Sequence, residues 1–201
     1  GKGTAQVQLD SLAHGQATLT QRKFYRVTGG STQNKGVIPD IRLVDIYNEE
    51  FGERKAKNAL KWDTIPTAPF KREGSVQPYL AKLNQTSEQR VATDPQFKYL
   101  ETRKTLAKKS ADEKKVVLDI DQRRAELVDL EKQTLDAENQ RRAATGQPPY
   151  ANWESYQASI DALVESRAKM KAHLRPPLPE EEAFITEAAN VLLDYAALQG
   201  R

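Results

Sequence analysis

Apolar and polar positions alternate in the first part of the chain, whereas later segments follow a helical period. Residues 4–9 alternate in part between apolar and polar side chains, which predicts a strand with two unlike faces. Residues 17–27 are rich in Thr, Phe, Tyr and Val and predict a second strand, followed by a turn at 28–31. Residues 36–41 predict a short third strand, and Pro39 places it at a sheet edge or a strand end.

The middle of the chain lacks a long periodic pattern. Four chain breakers interrupt it: Pro66, Pro69, Gly74 and Pro78. We therefore expect residues 46–80 to form an extended connection across the surface, with a short helix over 53–59. Trp62 and Phe70 are expected to hold this connection in place by burying their rings.

Beyond Pro78 the hydrophobic period becomes helical. Asp94 has the chemistry of an N-cap, and a proline follows it at the first helical position. Residues 116–121 alternate between two faces and predict a short strand that interrupts the helices. Residues 122–144 predict a strongly charged helix, which ends at Gly146.

Two more amphipathic helices are predicted near the C-terminus. The apolar stripe of the first consists of Trp153, Tyr156, Ile160, Leu163 and Val164. The second begins at Pro179 with three glutamates at the positive end of the helix dipole. Its buried face is expected to consist of Phe184, Ala188, Val191, Leu192 and Tyr195.

Composition limits the classes of function. The chain has 201 residues, of which 38% are hydrophobic and 29% are charged, so the apolar core must be modest. The net charge is +3, and the basic and acidic residues are interspersed, which is typical of solvated helix faces and disfavours nucleic-acid binding. The apolar runs are far shorter than the roughly 20 residues of a membrane span.

Metal and cofactor chemistry find little support in the sequence. Cysteine is absent, which excludes disulfides and thiolate metal sites. The two histidines, His14 and His173, are far apart and have no ligand cluster beside them, so no metal site is predicted. The start of the chain suggests a phosphate loop, but Lys2 is followed by Gly3 rather than Ser or Thr. No cofactor is expected.

Four ordered segments resemble one protein family. Residues 1–6 read Gly-Lys-Gly-Thr-Ala-Gln, which resembles the Gly-Lys-Gly-Thr-Val-Gln motif of the tail-specific, or C-terminal-processing, proteases, with alanine in place of valine. Residues 21–33 are similar to the strand and turn after the catalytic lysine of that family. Residues 35–41 are similar to its Gly-Val-x-Pro-Asp-Ile segment, and 58–63 resemble its long periplasmic branch.

The resemblance implies an α+β fold in three parts. Residues 1–45 would complete the sheet of a ClpP- or crotonase-like protease core, 46–80 would be the extended connection, and 81–201 would form a mainly α-helical C-terminal domain. The serine nucleophile, the oxyanion-hole donors and a PDZ domain would lie upstream of Gly1. The chain is therefore expected to be a fragment without its signal sequence, and to be inactive by itself.

The same resemblance assigns catalytic roles to Lys2 and Gln6. In a Ser/Lys dyad the lysine takes the proton of the serine hydroxyl, so its amine must be neutral. A lysine between two glycines suits this role, because a backbone without side chains can be approached closely. If 3–9 is a strand, Lys2 and Gln6 share a face, and Gln6 would orient the amine.

Substrates, partners and location follow from the family as well. The expected substrates are polypeptides with apolar, unstructured C-termini, and the expected location is the periplasm. The N-terminal part of the same protease and an adaptor lipoprotein are the expected protein partners. An alternative function is a non-catalytic helical module that docks an adaptor or the rest of the enzyme.

Overall fold

The computed structural model describes residues 3–12, 15–44, 56–71 and 74–200. The chain divides into two compact units. The first consists of Gly1–Arg42 and Glu49–Pro78, and the second of Leu43–Asn48 and Tyr79–Arg201. The first unit contains a sheet and the second contains the helices.

The sheet of the first unit is an antiparallel hairpin. Its strands are β1, Thr4–Leu12, and β2, Gly15–Lys23. Ala5 lies opposite Arg22 whereas Gln6 lies opposite Thr20, so β2 has one extra residue that forms a bulge. The strands predicted at 4–9 and 17–27 are confirmed. β2 ends before the predicted boundary because the backbone N–H of Arg26 donates to the carbonyl of Gly30, which closes a turn.

The predicted third strand at 36–41 is wrong. These residues form no strand, because the chain turns immediately before them. Asn34 and Gly36 have φ angles of 61° and 62°, in the left-handed region. The N–H of Gly36 donates back to the carbonyl of Thr32 over 2.8 Å. The backbone N–H of Gly36 is therefore used within the turn and is not available to pair with a neighbouring strand.

An extended segment at 56–71 runs beside the turn that follows the hairpin. It contains no helix and is joined to residues 27–31 by backbone hydrogen bonds, for example from the N–H of Ile65 to the carbonyl of Gly29 over 2.9 Å. Gly29 has φ of 87°, and a Cβ there would overlap the carbonyl oxygen of Ile65. Glycine is required at this close approach of two backbones.

The aromatic residues of this segment are more exposed than predicted. Trp62 is 38% exposed and Phe70 is 45% exposed, so the expectation that both rings are buried is wrong. Trp62 holds the segment through its polar edge instead, since Nε1 donates to the carbonyl oxygen of Ser31 over 2.8 Å. The predicted helix over 53–59 falls partly outside the described residues, and 56–59 form a turn.

The second unit is helical. Its helices are α1 Leu80–Thr93, α2 Pro95–Asp112, α3 Ile120–Ala144, α4 Trp153–Lys169 and α5 Pro179–Leu198. The N-cap at Asp94 is confirmed: its carboxylate accepts from the N–H of Gln96 over 2.7 Å, and a proline occupies the first helical position.

The short strand predicted at 116–121 is also wrong. Residues 113–119 have no regular structure, and α3 begins at Ile120. Asp119 caps this helix by accepting from the N–H of Gln122 over 2.8 Å. Leu118 is 96% exposed, and among the described residues no strand pairs with this segment. Alternation alone does not make a strand when nothing is available to pair with it.

The core of the helical unit lies among α2, α3 and α5. Its buried apolar residues are Phe97, Tyr99, Leu100, Ala137 and Ala183. The ring of Phe184 packs edge-to-face against Phe97, with centroids 5.9 Å apart. Within the same unit, Leu43 and Val44 pack against this cluster.

Two predicted apolar faces are only partly correct. On α4, Tyr156 is buried but Val164 is exposed. On α5, Leu192 and Ala188 are exposed, whereas Glu187 is buried with 3% of its surface exposed. The buried face of α5 therefore differs from the predicted one, because the charged side chain of Glu187 points into the protein.

Glu187 belongs to an ionic cluster between α1 and α5. Arg90 donates to both carboxylate oxygens of Glu187, the shortest contact being 2.8 Å, and to Asp194 over 2.7 Å. Thr86 also donates to Asp194 over 3.1 Å. Burial raises the pKa of Glu187, but hydrogen bonds from Arg90, Ser87 and Asn190 outweigh it and leave that pKa below the ordinary value. The hydrogen bond from Arg90 likewise lowers the pKa of Asp194.

These lowered pKa values predict that acid weakens the helical unit. A carboxyl group whose pKa is lower in the folded than in the unfolded state stabilises the fold at pH values above its unfolded pKa, which is about 4.3 for glutamate. This stabilisation is lost as the pH falls through the pKa of the folded state. Urea unfolding of the chain at pH 7, 5, 4 and 3 should show this loss. The Glu187→Gln variant should show a smaller decrease; equal decreases in both proteins would contradict the assignment.

The described residues confirm an α+β fold. They contain one two-stranded sheet and five α-helices. None of the helices in this part is long and apolar enough to cross a membrane.

Candidate functional site

The predicted site lies at the start of β1. Lys2 itself lies outside the described residues, so its neighbour Gly3 is the nearest described position. The carbonyl of Gly3 accepts a hydrogen bond from the N–H of Phe24 over 2.8 Å, which extends the pairing of the hairpin by one step. Thr4 is buried, with 3% of its surface exposed. The backbone beside Lys2 is thus enclosed.

Gly3 is in direct contact with the residue at position 33. A Cβ at position 3 would overlap the Cα of Gln33 and would lie 2.5 Å from its backbone nitrogen. Because the obstructing atoms are backbone, a side chain could not be accommodated by a rotamer change. Gln33 has no exposed surface. The second glycine of the Gly-Lys-Gly motif is therefore required by a contact within this chain.

The turn that contains Gln33 is braced from its other side. The N–H of Gln33 donates to Oγ of Ser31 over 3.0 Å, and the carbonyl of Ser31 accepts from Trp62 over 2.8 Å. The N–H of Ser31 donates to the carbonyl of Asp63 over 3.1 Å. Lys35 lies 3.5 Å from the centre of the Trp62 ring, which is a cation–π contact. The extended segment thus holds the turn against Gly3.

A second polar link joins β2 to the same segment. Nζ of Lys23 lies 3.1 Å from a carboxylate oxygen of Asp63 and donates to the carbonyl of Lys61 over 2.7 Å. The hydroxyl of Tyr25 also contacts that carboxylate, at 3.2 Å. Burial, together with the hydrogen bond to Asp63, raises the pKa of Tyr25. Lys23 therefore has a structural role, because its amine joins β2 to the extended segment.

Gln6, the second predicted site residue, is exposed on β1. Its Nε2 lies 3.5 Å from Oγ1 of Thr20, which is a long and weak hydrogen bond. The pairing of Gln6 with Lys2 stays a prediction, because one of the two residues lies outside the described part of the chain.

Among the described residues, no three His, Cys, Asp or Glu side chains are grouped in a way that could hold a metal ion. His14 lies outside the described residues.

The sequence model of a family described as "C-terminal domain of tail specific protease (DUF3340)" matches residues 46–197, about three quarters of the chain. The chain belongs to this family. It is also similar to the tail-specific protease of Haemophilus influenzae, with 38% identity over 139 residues, which cover 63% of this chain and 20% of the relative. The chain therefore spans about a fifth of the length of that relative.

The family assignment and the predicted site come from different parts of the chain. The match to the tail-specific protease domain begins at residue 46, after the motif that contains Lys2 and Gln6. Gln33 stands in the segment 21–33 that resembles the proteases, and only the fold shows its contact with Gly3. No local sequence signal predicts this contact, because the two residues are 30 positions apart.

The helical unit has a groove of about 270 Å³ between α2 and α3. It is lined by leucines and by charged residues of both signs, among them Leu106, Leu127, Leu130, Lys109, Glu113 and Arg123. A small-molecule site in proteins is usually enclosed, with few polar groups. This open groove with mixed charges is not such a site.

Proposed function

We propose that this chain is the C-terminal part of a periplasmic tail-specific serine endopeptidase, in which Lys2 is the general base. The observation that carries this proposal is the order of two features. The Gly-Lys-Gly-Thr-Ala-Gln motif stands at residues 1–6, and a segment that belongs to the tail-specific protease family follows it from residue 46. The nucleophilic serine would be supplied by the part of the polypeptide upstream of Gly1.

The proposed reaction is acyl transfer to serine followed by hydrolysis. The neutral amine of Lys2 accepts the hydroxyl proton as the serine oxygen attacks the peptide carbonyl, and it then protonates the leaving amine. An exposed lysine has a pKa of about 10.4 and is therefore protonated at pH 7. For Lys2 to be neutral at this pH, its amine must be shielded from water. Gln6 would orient the amine by accepting one of its hydrogen bonds. Its weak contact with Thr20 leaves the side chain free to turn toward that role.

The first unit supports a role as one edge of a larger protease core. A two-stranded hairpin is marginally stable by itself. The apolar residues Leu9 and Leu19 are about half exposed, and the buried residues of this unit include the polar side chains of Thr4, Ser31 and Gln33. Completion of the hairpin by a ClpP- or crotonase-like sheet would bury these apolar side chains.

The helical unit supports a second role, that of a wall or docking module. Three apolar residues on α5 are largely exposed: Ile185, Leu192 and Leu193. Such a face favours packing against another protein surface. In the proposed enzyme this surface would belong to the chamber that admits unfolded chains or to an adaptor lipoprotein. A pull-down with the 201-residue chain as bait distinguishes these roles: a docking module would retain an adaptor, whereas a wall would retain only the protease core.

The proposed substrates are polypeptides with apolar, unstructured C-termini, and no cofactor takes part. The full-length protein should cleave a folded test domain that carries an apolar C-terminal tail at least about tenfold faster than the same domain with a tail ending in aspartates, because uncompensated burial of charge is costly. Gel electrophoresis of time points measures both rates. The 201-residue chain alone should cleave neither domain. Cleavage by the chain alone, or equal rates for both tails, would refute the proposal.

A further inference from the structure

We propose that one face of α5 is a self-association surface, on which a second copy of this chain docks in antiparallel orientation. The inference does not depend on the Ser/Lys dyad, since it uses only the helical unit. In such a pair, the wall or docking role of the helical unit would fall to its other surfaces, so the two proposals can fail separately.

The outer side of α5 is unusually apolar. The inner side, which contacts α1 and α2, carries the buried residues Ala183 and Glu187. On the outer side, no charged residue follows Glu182 before the helix ends. This outer face consists of large and small apolar residues: Ile185, Ala188, Ala189, Leu192, Leu193 and Ala196. Its three large side chains are 59% to 67% exposed. A helix that is apolar on both sides is normally buried on both sides, so we expect this face to be covered.

The outer face has the spacing of a coiled-coil seam. Its central residues are four, three and four positions apart, which is the alternation of the a and d positions of a heptad: Ile185, Ala189, Leu192 and Ala196. The two large residues occupy one of these positions and the two alanines occupy the other. Facing helices pack without voids when a large residue of one lies opposite a small residue of the other.

An antiparallel pair gives this match in every layer. If Ala189 of one copy faces Leu192 of the other, the residue numbers of all facing positions have the same sum. The other matched pairs are then Ile185 with Ala196 and Ala188 with Leu193. A parallel pair would instead place Leu192 against Leu192 and Ala189 against Ala189, which overfills one layer and leaves a void in the next.

Polar residues end the apolar contact in the same register. The layer beyond Ile185 and Ala196 pairs Glu182 of one copy with Gln199 of the other, and both residues are exposed. The amide of Gln199 can donate to the carboxylate of Glu182. The apolar stripe is therefore as long as the register that matches large with small residues.

Charge favours the antiparallel orientation as well. The first turn of α5 carries three glutamates, and the helix has no basic residue. A parallel pair would bring the acidic turns of both copies together. In an antiparallel pair each acidic turn lies at the C-terminal end of the partner helix, where Tyr195 packs against Tyr79 just before α1. The exposed Lys82 lies about one turn further along α1, so the ends that meet carry opposite charges.

The size of the contact predicts a weak dimer. The stripe from Ile185 to Ala196 is about 17 Å long. One helix face on each side is expected to bury less than the roughly 1,000 Å² of a stable interface. We therefore expect dimers to form at chain concentrations between about 1 μM and about 1 mM.

The test exchanges the sizes of facing residues in the 201-residue chain. Sedimentation equilibrium measures the dissociation constant over this concentration range. Ala189→Leu adds apolar surface but puts two large side chains in one layer, so it should weaken the dimer by at least about tenfold. Adding Leu192→Ala to Ala189→Leu exchanges the large and the small side chain and should restore the dissociation constant to within about threefold. Circular dichroism at 222 nm shows whether each variant is helical.

Engineered cysteines report the orientation, because the chain has none of its own. A mixture of the Ile185→Cys and Ala196→Cys variants should form disulfide-linked dimers on mild oxidation, since facing residues lie within disulfide range. Each variant alone should form few such dimers, because like positions in the antiparallel pair are about 17 Å apart.

The results separate this surface from other uses of the same face. A dimer that Ala189→Leu weakens and the double variant restores, with cross-links in the mixture, supports the proposal. A dimer that Ala189→Leu strengthens, or cross-links of each cysteine variant with itself, overturns the antiparallel register. A chain that stays monomeric over the whole range overturns self-association and leaves the face to the protease core or an adaptor. If Ala189→Leu is not helical, the cysteine cross-links decide, because they leave the layer of Ala189 and Leu192 unchanged.

Discussion

Replacing Lys2 by alanine in the proposed full-length protease is expected to lower kcat by about 10²- to 10⁴-fold, the usual contribution of a positioned general base. The serine hydroxyl would lose its proton acceptor, while the contacts that bind the substrate would remain. Single-turnover cleavage of a domain with an apolar tail measures the rate. Binding of the same domain, measured by fluorescence anisotropy, should be unchanged.

Two further substitutions make this result specific. Lys2→Arg should be about as inactive as Lys2→Ala, because a guanidinium is not deprotonated in proteins and cannot serve as a base. Lys57→Ala, which removes an exposed lysine, should retain wild-type turnover. Normal activity in Lys2→Ala would rule out the dyad, and normal activity in Lys2→Arg would rule out a neutral amine as the proton acceptor.

The largest effect on stability is expected from Arg90→Met, at about 3 to 5 kcal/mol, because it leaves the buried carboxylate of Glu187 without its cation. This would be a large fraction of the free energy of unfolding of a typical domain, about 5 to 15 kcal/mol. Urea unfolding monitored by circular dichroism at 222 nm reports on the helical unit.

A comparison of variants separates ion pairing from general loss of packing. Lys169→Met breaks an exposed pair with Glu165 and should cost no more than about 0.5 kcal/mol. Adding Glu187→Leu to Arg90→Met should recover much of the lost stability, since no buried charge then lacks a partner. If Arg90→Met costs as little as Lys169→Met, the cluster does not hold α1 and α5 together.

Local patterns were sufficient for most of the secondary structure. Asp94 with the following proline indicated the start of α2, and the charged period over 122–144 predicted nearly all of α3. The two wrong strands, at 36–41 and 116–121, share one cause. Both have an alternating or β-branched pattern, but strand formation also needs a partner strand, which a local pattern cannot supply.

Side-chain burial was harder to predict than secondary structure. The α5 pattern predicted that Leu192 faces the core, but the interaction of Glu187 with Arg90 turns that helix face away. Arg90 and Glu187 are 97 positions apart in the sequence, so the hydrophobic period of a single helix cannot predict this ion pair.

The candidate site shows the same limit. A short motif is enough to propose Lys2 and Gln6, whereas the contact of Gly3 with Gln33 joins residues 30 positions apart. The division of the chain at 45 and 80, like the roles of Lys2 and Gln6, stays a prediction.

The close packing of Gly29 beneath Ile65 and of Gly3 against Gln33 has a consequence for how this region can vary. Residues 29–33 connect these two contacts, so their number determines the distance between them. One added residue would displace one contact by up to about 3.3 Å, more than either can absorb. Most surface loops tolerate insertions and deletions. Here, the two contacts leave no room for an added or a deleted residue, so residues 29–33 act as a spacer of set length.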